Sequence, residues 1–459
     1  MISPLFDCSL NYCLRKGKEM NINVPQSKAE LDKLLADANA TLPYTEDISV
    51  LKTPIKVKNK VLHNRIVYQA MEGCDGTKDG APDDLTIRRY TRFAKGAPAL
   101  IWFEATAVIQ EGRANPRQMY LNDKTADDFR RMVEMIKELS MKENGFEPVV
   151  ICQLTHSGRY SKPEGKPAPR IAYNNPIFEG ENPIPKEAIL SDDELDRICE
   201  ALINGAKMAE QVGFDGADIK CCHRYLLCEL LSAYEREGRY GGSFENRTRL
   251  VRTAAEGAIV SCSDDFIITS RMNIYDGFPY PYGFGVNEGD GITPHYEEAK
   301  MLAKALVELG MPMLDFTMGN PYFNPNVNRP FIGSLDKFGD HPMFGVERML
   351  KGIGEVKKAV PGIPVISSGI SFLGTEGAKV NAACIENGMF DLAGFGRQTL
   401  AYPDCAKDIT MGEGLDKKKI CIACGKCSEI MRAGGTPGCV IRDTEMFMPL
   451  YRELVLNKK

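Results

Sequence analysis

The sequence predicts an α/β fold, a (β/α)8 barrel, from three observations. Eight short apolar segments alternate with amphipathic helical patterns along the chain. Such segments suit a parallel sheet covered by helices on both faces, and eight strands are the number that closes a barrel. Polar residues also cluster at the ends of these segments, where barrel enzymes carry their active sites. An open, doubly wound sheet is the alternative.

The elements follow one another regularly. Interleaved Ala, Leu and charged residues predict a short helix within residues 27–40, and alternating polarity predicts a hairpin over 51–66. Longer helical patterns cover residues 127–143, 191–212, 296–310 and 346–360, and several of them begin at Ser or Asp and end at Gly. The eight candidate strands are residues 65–71, 99–106, 148–156, 213–220, 265–272, 313–319, 363–369 and 390–397.

Composition excludes several classes of function. The chain has 459 residues, of which 43% are hydrophobic, enough for a large core. Its net charge of −5 gives no electrostatic basis for binding nucleic acid or an anionic membrane, and no apolar run is long enough to span a bilayer. The N-terminus, which carries Asp7 and no basic region before its apolar residues, is a poor signal peptide. Fifteen cysteines in this context predict reduced thiols and a cytoplasmic location.

Two glycine-containing loops predict a phosphate site. SSGI (367–370) ends the seventh candidate strand and GFGR (394–397) ends the eighth. In a barrel, the backbone N–H groups of these two loops bind phosphate, and Arg397 adds a guanidinium with matching geometry. Outside a barrel, they would be ordinary turns and a surface arginine. No GxGxxG fingerprint follows a strand with an acid further on, and no P-loop motif occurs.

Four cysteines near the C-terminus have the spacing C-x2-C-x2-C-x11-C. They are Cys421, Cys424, Cys427 and Cys439. Three thiols on one tight turn and a fourth returned by a Gly/Pro loop suit an iron–sulfur cluster and, less well, a zinc site. A disulfide pair is a further alternative.

Several segments, taken together, resemble a known family. HNRIVYQAM (63–71), ICQLTHSGR (151–159), the run 213–232, YGGSFENRTRLV (240–251) and the cysteine run resemble the Old Yellow Enzyme group of FMN-dependent barrels. The similarity is closest to the branch with 2,4-dienoyl-CoA reductase and trimethylamine dehydrogenase, in which an iron–sulfur cluster follows the barrel. It extends over roughly residues 45–445.

The resemblance implies FMN and a [4Fe–4S] cluster as cofactors. It implies that Gln153 hydrogen-bonds the pyrimidine edge of the flavin and that Arg271 lies beside the N1/C2 carbonyl, where reduction places negative charge. Backbone close to the flavin comes from Ala70, Met71, Glu72 and Ala105. The FMN phosphate is held by Ser368, Gly369, Gly396 and Arg397. The cluster ligands are Cys421, Cys424, Cys427 and Cys439.

The catalytic segment matches the family only in part. His223 corresponds to a residue that hydrogen-bonds a substrate carbonyl, and Tyr225 corresponds to the usual proton donor. Lys220 departs from the His or Asn that is usual at its position. It either faces the substrate, as a partner for an enolate or a carboxylate, or turns towards an acid such as Glu72 or Asp218. The cysteine run departs as well, since the dienoyl-CoA reductase pattern has three residues between its second and third Cys.

These inferences divide the chain into an N-terminal extension (1–46), an FMN-binding barrel (47–412) and an iron–sulfur segment (413–459). The larger relatives continue with a nucleotide-binding portion that carries FAD; the printed sequence ends at Lys459, and we expect that portion to be absent.

The main hypothesis is an ene-reductase that reduces the activated C=C bond of an unsaturated carbonyl compound, with electrons from NAD(P)H or a donor protein. The alternatives are a dehydrogenase of amines or alcohols and a flavin-free barrel with a zinc knuckle. The sequence leaves the substrate and the oligomeric state open.

Overall fold

Eight parallel strands form a barrel in the computed structural model, which describes residues 22–412 and 414–457. Two strands that precede the barrel, β1 Ile55–Val57 and β2 Lys60–Leu62, pair with each other. The eight barrel strands are β3 Ile66–Tyr68, β4 Leu100–Ala107, β5 Val149–Thr155, β6 Gly216–Ile219, β7 Ile267–Asn273, β8 Leu314–Thr317, β9 Val365–Ile366 and β10 Ala393–Phe395. The spatial order is β10-β3-β4-β5-β6-β7-β8-β9, and a parallel bridge between Ile366 and Leu392 joins the two ends. The predicted barrel is therefore confirmed, and the doubly wound sheet is wrong.

The helices surround this barrel and fill its loops. They are α1 Lys28–Asp37, α2 Asp84–Lys95, α3 Ala126–Asn144, α4 Pro176–Glu179, α5 Asp192–Gln211, α6 Leu226–Leu230, α7 Phe244–Arg247, α8 Arg249–Ser261, α9 Glu297–Glu308, α10 Pro325–Asn328, α11 Ser334–Phe338, α12 Pro342–Lys357, α13 Gly377–Glu386, α14 Arg397–Ala401, α15 Cys405–Met411, α16 Lys426–Arg432 and α17 Thr444–Tyr451. The predicted strands and long helices all overlap observed ones. None of the described helices is long and apolar enough to cross a membrane.

Local sequence explains where the longest helices begin and end. Ser191 caps α5 by accepting a hydrogen bond from the backbone of Glu194, and the Glu194 side chain accepts one from the backbone of Ser191. This reciprocal capping box satisfies two backbone donors that a helix start leaves free. Helix α3 ends at Gly145, whose φ of 79° is a left-handed conformation that glycine adopts without steric cost.

The hairpin of β1 and β2 closes the amino-terminal end of the barrel. The two strands pair in antiparallel register, with Ile55 opposite Leu62. Val57 and Leu62 are buried against inward-facing residues of the barrel strands, among them Val67 and Trp102. The predicted hairpin is confirmed. The first 21 residues of the predicted N-terminal extension lie outside the described residues.

The C-terminal segment packs against α2 on the outside of the barrel. Arg88 and Arg92 both donate hydrogen bonds to Asp443, at distances of 2.7 to 3.0 Å. Beneath this ion-pair group, Ile430, Val440 and Phe447 belong to a small apolar cluster separate from the barrel core. The segment is thereby held against α2. The boundaries at residues 46 and 412 stay predictions.

A substitution of Gly394 in β10 tests how tightly the barrel strands pack at this position. A Cβ at this position would lie 2.0 Å from the carbonyl oxygen of Ser367 and 2.6 Å from Nε2 of Gln69. We expect Gly394→Ala to lower the free energy of unfolding by about 1–3 kcal/mol, measured by urea titration. Gly362→Ala is the control, since no heavy atom lies within 4 Å of its added Cβ. Equal stability of the two variants would contradict this packing.

Candidate active site

A cavity opens at the carboxyl ends of the barrel strands, with about 910 Å³ of empty space including its mouth. Parallel strands of a barrel deliver their terminal side chains to this one face. Every residue predicted from the sequence for the flavin and the substrate lines the cavity: Ala70, Met71, Glu72, Ala105, Gln153, Lys220, His223, Tyr225, Arg271, Ser368, Gly369, Gly396 and Arg397. The structure therefore brings these residues together, and their individual roles stay predictions.

The first fixed point of the site is the buried carboxylate of Asp218 in β6. Its Oδ2 accepts hydrogen bonds from Trp102 Nε1 at 2.8 Å and from Gln153 Nε2 at 2.7 Å. Its Oδ1 accepts from the backbone N–H of Arg271 at 2.7 Å. Because the amide nitrogen of Gln153 is held in this way, its amide oxygen is the atom left for a ligand in the cavity.

The second fixed point is Asp315 in β8. Gln69 Nε2 donates to its carboxylate at 3.0 and 3.1 Å, and Ser368 Oγ donates at 3.2 Å. Arg271 Nε lies 3.3 Å from Asp315 Oδ2, and Arg271 Nη2 donates to Ser368 Oγ at 3.2 Å. Burial raises the pKa of Asp315 to about 7, although the charge of Arg271 opposes the rise. The guanidinium of Arg271 is thus held at the cavity wall.

Lys220 faces the cavity at the end of β6. Its ammonium lies 3.6 Å from the centroid of the Tyr225 ring, and among the described residues it forms no ion pair within 4.0 Å. The expected alternative, in which Lys220 pairs with Glu72 or Asp218, does not occur in this structure. Burial lowers its pKa, partly opposed by the nearby negative groups. A cation–π contact with Tyr225 keeps the charged group beside the phenol.

His223 is positioned by an unusual turn. His223 and the next residue, Arg224, have φ values of 63° and 60°, a left-handed conformation that is unfavourable for residues with a Cβ. The buried Arg224 guanidinium donates to Asp276 at 3.0 Å and fixes this turn. Burial and the nearby positive charges lower the pKa of His223 well below its ordinary value, so the imidazole is neutral. Its Nε2 is buried without a hydrogen-bond partner, so it is available to a ligand.

Tyr225 lies at the centre of a hydrogen-bonded group. Its hydroxyl donates to Glu72 Oε2 at 3.0 Å and lies 3.0 Å from the hydroxyl of Tyr322. Glu72 Oε1 accepts a further hydrogen bond from Asn115 Nδ2 at 3.0 Å. Burial raises the pKa of Tyr225, so the phenol stays protonated and able to donate.

Two arginines mark the opposite end of the cavity. Arg397, after β10, and Arg329, in the loop after β8, both line it, and the Nε atom of each is buried without a hydrogen-bond partner. Their charges oppose one another, and burial together with Arg397 lowers the pKa of Arg329. Two buried guanidinium groups that repel each other are stabilised by an anion between them, and phosphate has the matching geometry.

The four predicted cluster cysteines lie beyond Arg397. Backbone N–H groups donate to two of the sulfur atoms, from Ala423 to Cys421 at 3.4 Å and from Arg442 to Cys439 at 3.3 Å. Burial lowers the pKa of Arg397, and the nearby Cys427 and Cys421 oppose this fall. Within residues 22–412 and 414–457, no three His, Cys, Asp or Glu side chains converge closely enough to hold a metal ion as placed. The cluster therefore stays a prediction.

Several residues that line the cavity or hold its lining were missed by the sequence analysis. Gln69 and Asp315 are polar residues inside apolar strand segments, and that contrast could have indicated them. Tyr322, Arg329 and Met431 come from loop 320–342 and from α16, where no periodic pattern indicates which residues turn inward. The hydrogen bond from Tyr225 to the Glu72 side chain was also missed, because the sequence suggested only Lys220 as a partner for that carboxylate.

Comparison with known proteins decides the family. Residues 50–306, more than half of the chain, match the model of the NADH:flavin oxidoreductase / NADH oxidase family. The chain belongs to this family. It is 31% identical over 242 residues to an NADPH dehydrogenase of Clostridium acetobutylicum, a match that covers 52% of this chain and 66% of the relative.

Solved structures of family-like proteins share the barrel. A 2-naphthoyl-CoA reductase has a TM-score of 0.69 at 21% identity, covering 86% of this chain and 57% of that one. A histamine dehydrogenase from Rhizobium sp. 4-9 has a TM-score of 0.65 at 19% identity, covering 86% of this chain and 52% of that one. The chain thus spans about half the length of these two relatives, and at this identity the likeness shows the fold.

The cavity of this family member fits a flavin with a single phosphate. The free oxygen of Gln153 and the held guanidinium of Arg271 suit the polar edge of an isoalloxazine ring. The buried Nε atoms of Arg329 and Arg397 suit a phosphate. Gly369 has a φ of 79°, so the loop after β9 makes a left-handed turn there. This turn brings backbone to the end of the cavity where Arg329 and Arg397 lie.

Asp315 generates a prediction about stability and pH. Its pKa of about 7 in the folded protein lies above its usual value of 3.8, so the stability that it contributes is present below about pH 4 and is lost as the pH rises towards 7. Asp315→Asn removes this titration. Between pH 4 and 7, we expect the free energy of unfolding of this variant to fall by about 1–3 kcal/mol less than that of the wild type.

Urea titrations at several pH values measure this effect. The control is Asp193→Asn, at a position that is 96% exposed on the surface. A pH profile of Asp315→Asn that matches the wild type would contradict the assignment.

Proposed function

We propose that the chain is an FMN- and [4Fe–4S]-dependent ene-reductase that reduces the activated C=C bond of an α,β-unsaturated carbonyl compound. The observation that carries the proposal is the convergence of Lys220, His223 and Tyr225 on one cavity that also presents Gln153 and Arg271. Membership of the flavin oxidoreductase family supports the choice of cofactor. Electrons would come from NAD(P)H or from a donor protein.

Named residues would hold the flavin. Gln153 and Arg271 would bind its pyrimidine edge, and backbone at Ala70, Met71, Glu72 and Ala105 would lie along the ring. Its phosphate would be held by Ser368, Gly369, Gly396, Arg397 and also Arg329. When bound, FMN supplies a hydride to the β-carbon of the substrate. A positive charge at Arg271 favours the negative charge that the reduced ring carries.

His223 and Lys220 would activate the substrate carbonyl. The neutral imidazole has a free Nε2, and the Lys220 ammonium is not neutralised by an ion pair among the described residues. During hydride transfer the carbonyl oxygen gains enolate character, so a donor or a positive charge at this oxygen binds the transition state more strongly than the ground state. Lys220 would also accept a substrate carboxylate. Tyr225 would then protonate the α-carbon.

The charge of the cavity favours a carbonyl substrate over an amine. The structural similarity to a histamine dehydrogenase makes an amine dehydrogenase the second candidate function. In this chain, the Lys220 ammonium lines the cavity and forms no ion pair among the described residues, although the charge of Glu72 acts on its pKa. A protonated amine at the same position would be repelled in surroundings of low dielectric constant. The Lys220 charge instead attracts an oxyanion.

The four C-terminal cysteines would bind the cluster. Their donor set suits iron and sulfide, and the backbone N–H groups directed at Cys421 and Cys439 are the kind that stabilise a cluster's sulfur charge. The segment lies next to Arg397, at the phosphate end of the cavity. A cluster at that place would exchange single electrons with the flavin site.

Replacing Cys424 tests the cluster. We expect Cys424→Ser to lose iron and acid-labile sulfide, because a hydroxyl is a poor ligand for this centre, while most of the FMN remains bound. Iron, sulfide and flavin are measured on anaerobically purified protein. Cys262→Ser is the control, since Cys262 is half-buried at the end of α8, outside the cysteine run. Unchanged iron in Cys424→Ser would contradict the ligand assignment.

Replacing Tyr225 tests the proton donor. Tyr225→Phe should leave flavin reduction intact and slow the reoxidation of the flavin by an enone about a hundredfold or more, the usual effect of removing a general acid. Stopped-flow absorbance measures both half-reactions. His223→Ala should instead weaken the binding of phenolic and carbonyl ligands. Near-normal reoxidation in Tyr225→Phe would refute its role, and an equal loss in both half-reactions would indicate misfolding.

A further inference from the structure

The Glu72 side chain is a half-buried acid that the proposed reaction does not yet use. It follows β3 and lies between two hydrogen-bonding partners, with Oε2 3.0 Å from the Tyr225 hydroxyl and Oε1 3.0 Å from Asn115 Nδ2. It lines the same cavity as Tyr225, and its side chain is half-buried. Glu72 therefore contacts the proposed proton donor and lines the cavity beside it.

A phenol that protonates a substrate must recover a proton before the next turnover. Within the described part of the chain, the Tyr225 oxygen has two hydrogen-bond partners, Glu72 and Tyr322. Burial raises the pKa of Tyr322, so this second phenol does not release a proton readily. Glu72 is the partner whose acid form can give up a proton under ordinary conditions.

We propose that Glu72 supplies the proton that replaces the one Tyr225 gives to the substrate, an inference that rests on the proposed ene-reductase function. As the β-carbon receives hydride, the O–H bond of Tyr225 breaks and a C–H bond forms at the α-carbon. The O–H bond of protonated Glu72 breaks and the O–H bond of Tyr225 re-forms. Glu72 ends as a carboxylate that accepts the Tyr225 hydrogen bond, and water at the cavity mouth restores its proton.

The surroundings of Glu72 suit this cycle. Burial raises its pKa, which keeps part of the population protonated above the usual range of a glutamate. Opposing effects come from the charge of Lys220 and from hydrogen bonds with Tyr225, Asn115 and Cys74. Lys220 also lies over the Tyr225 ring, where its charge stabilises negative charge on the phenol as the proton leaves. Glu72 thus acts through Tyr225 and does not contact the reacting carbon itself.

The expected pH dependence has a definite sign. Because the relay begins with protonated Glu72, reoxidation of the reduced flavin by an enone should be fastest at low pH and should slow as the pH rises through the Glu72 pKa. Lys220 lowers that pKa, so Lys220→Met should move the slowing to higher pH. Glu72→Gln keeps the shape of the side chain and a hydrogen bond but holds no transferable acid proton. Reoxidation in this variant should therefore be slow at every pH and should lack the pH transition at the Glu72 pKa.

The experiment is a set of single-turnover stopped-flow measurements with cinnamaldehyde from low to high pH. Each variant is first tested for FMN content and for its rate of flavin reduction, which show whether it is folded. Glu72→Asp should retain the transition that Glu72→Gln loses. The matched control is Tyr322→Phe, which removes the other partner of the Tyr225 hydroxyl and should retain the transition. In the Tyr225→Phe background, a further Glu72→Gln change should slow reoxidation little more, because both residues act on one step.

A second measurement does not depend on turnover. Infrared difference spectra of the oxidised protein between low and high pH should show a carboxyl group that is absent from Glu72→Gln. If wild type and Glu72→Gln reduce cinnamaldehyde with the same pH profile, the relay is wrong and the ene-reductase function stands. If the reduced wild-type protein does not react with unsaturated carbonyl compounds at all, the proposed function itself fails.

Discussion

Two buried carboxylates, Asp218 and Asp315, determine how the active-site face of this barrel is arranged. Each carries no exposed surface, and each is held by donors from other strands of the barrel and from strand ends. A buried carboxylate is tolerated only when hydrogen bonds and positive charge compensate for its lost hydration. The donors that satisfy this requirement include Gln153 and Arg271, and they are the same groups that face the cavity. Stability and ligand geometry therefore depend on one network.

This network fixes the two donors that face the cavity. Gln153 uses its amide nitrogen on Asp218, so its oxygen remains, and Arg271 is held between Asp315 and Ser368. The strained turn at His223, fixed by Arg224, adds an imidazole nitrogen without a hydrogen-bond partner to the cavity. Such preorganisation removes the cost of ordering these groups when the flavin and substrate bind.

The fold was predictable because its signals are periodic and local. Eight buried strand segments and the caps of helices such as α5 follow from the sequence alone. The flavin and substrate residues were located through the family resemblance and the strand ends, and they do line one cavity. Residues such as Tyr322, Arg329 and Met431 were not predictable, because long-range packing of a loop and of α16 brings them inward. The hydrogen bond between Glu72 and Tyr225 joins residues that are 153 positions apart in the sequence, so no local pattern could indicate it.

The central claim is that this cavity uses a bound flavin to reduce an activated C=C bond. The most direct test is one anaerobic turnover, in which the purified protein is reduced, mixed with a stoichiometric amount of an unsaturated aldehyde, and followed by visible absorption and product analysis. The account predicts that the bleached flavin band returns while one equivalent of saturated aldehyde forms. A colourless protein would contradict it. So would a reduced flavin that an enone fails to reoxidise, together with an oxidised flavin that an amine reduces.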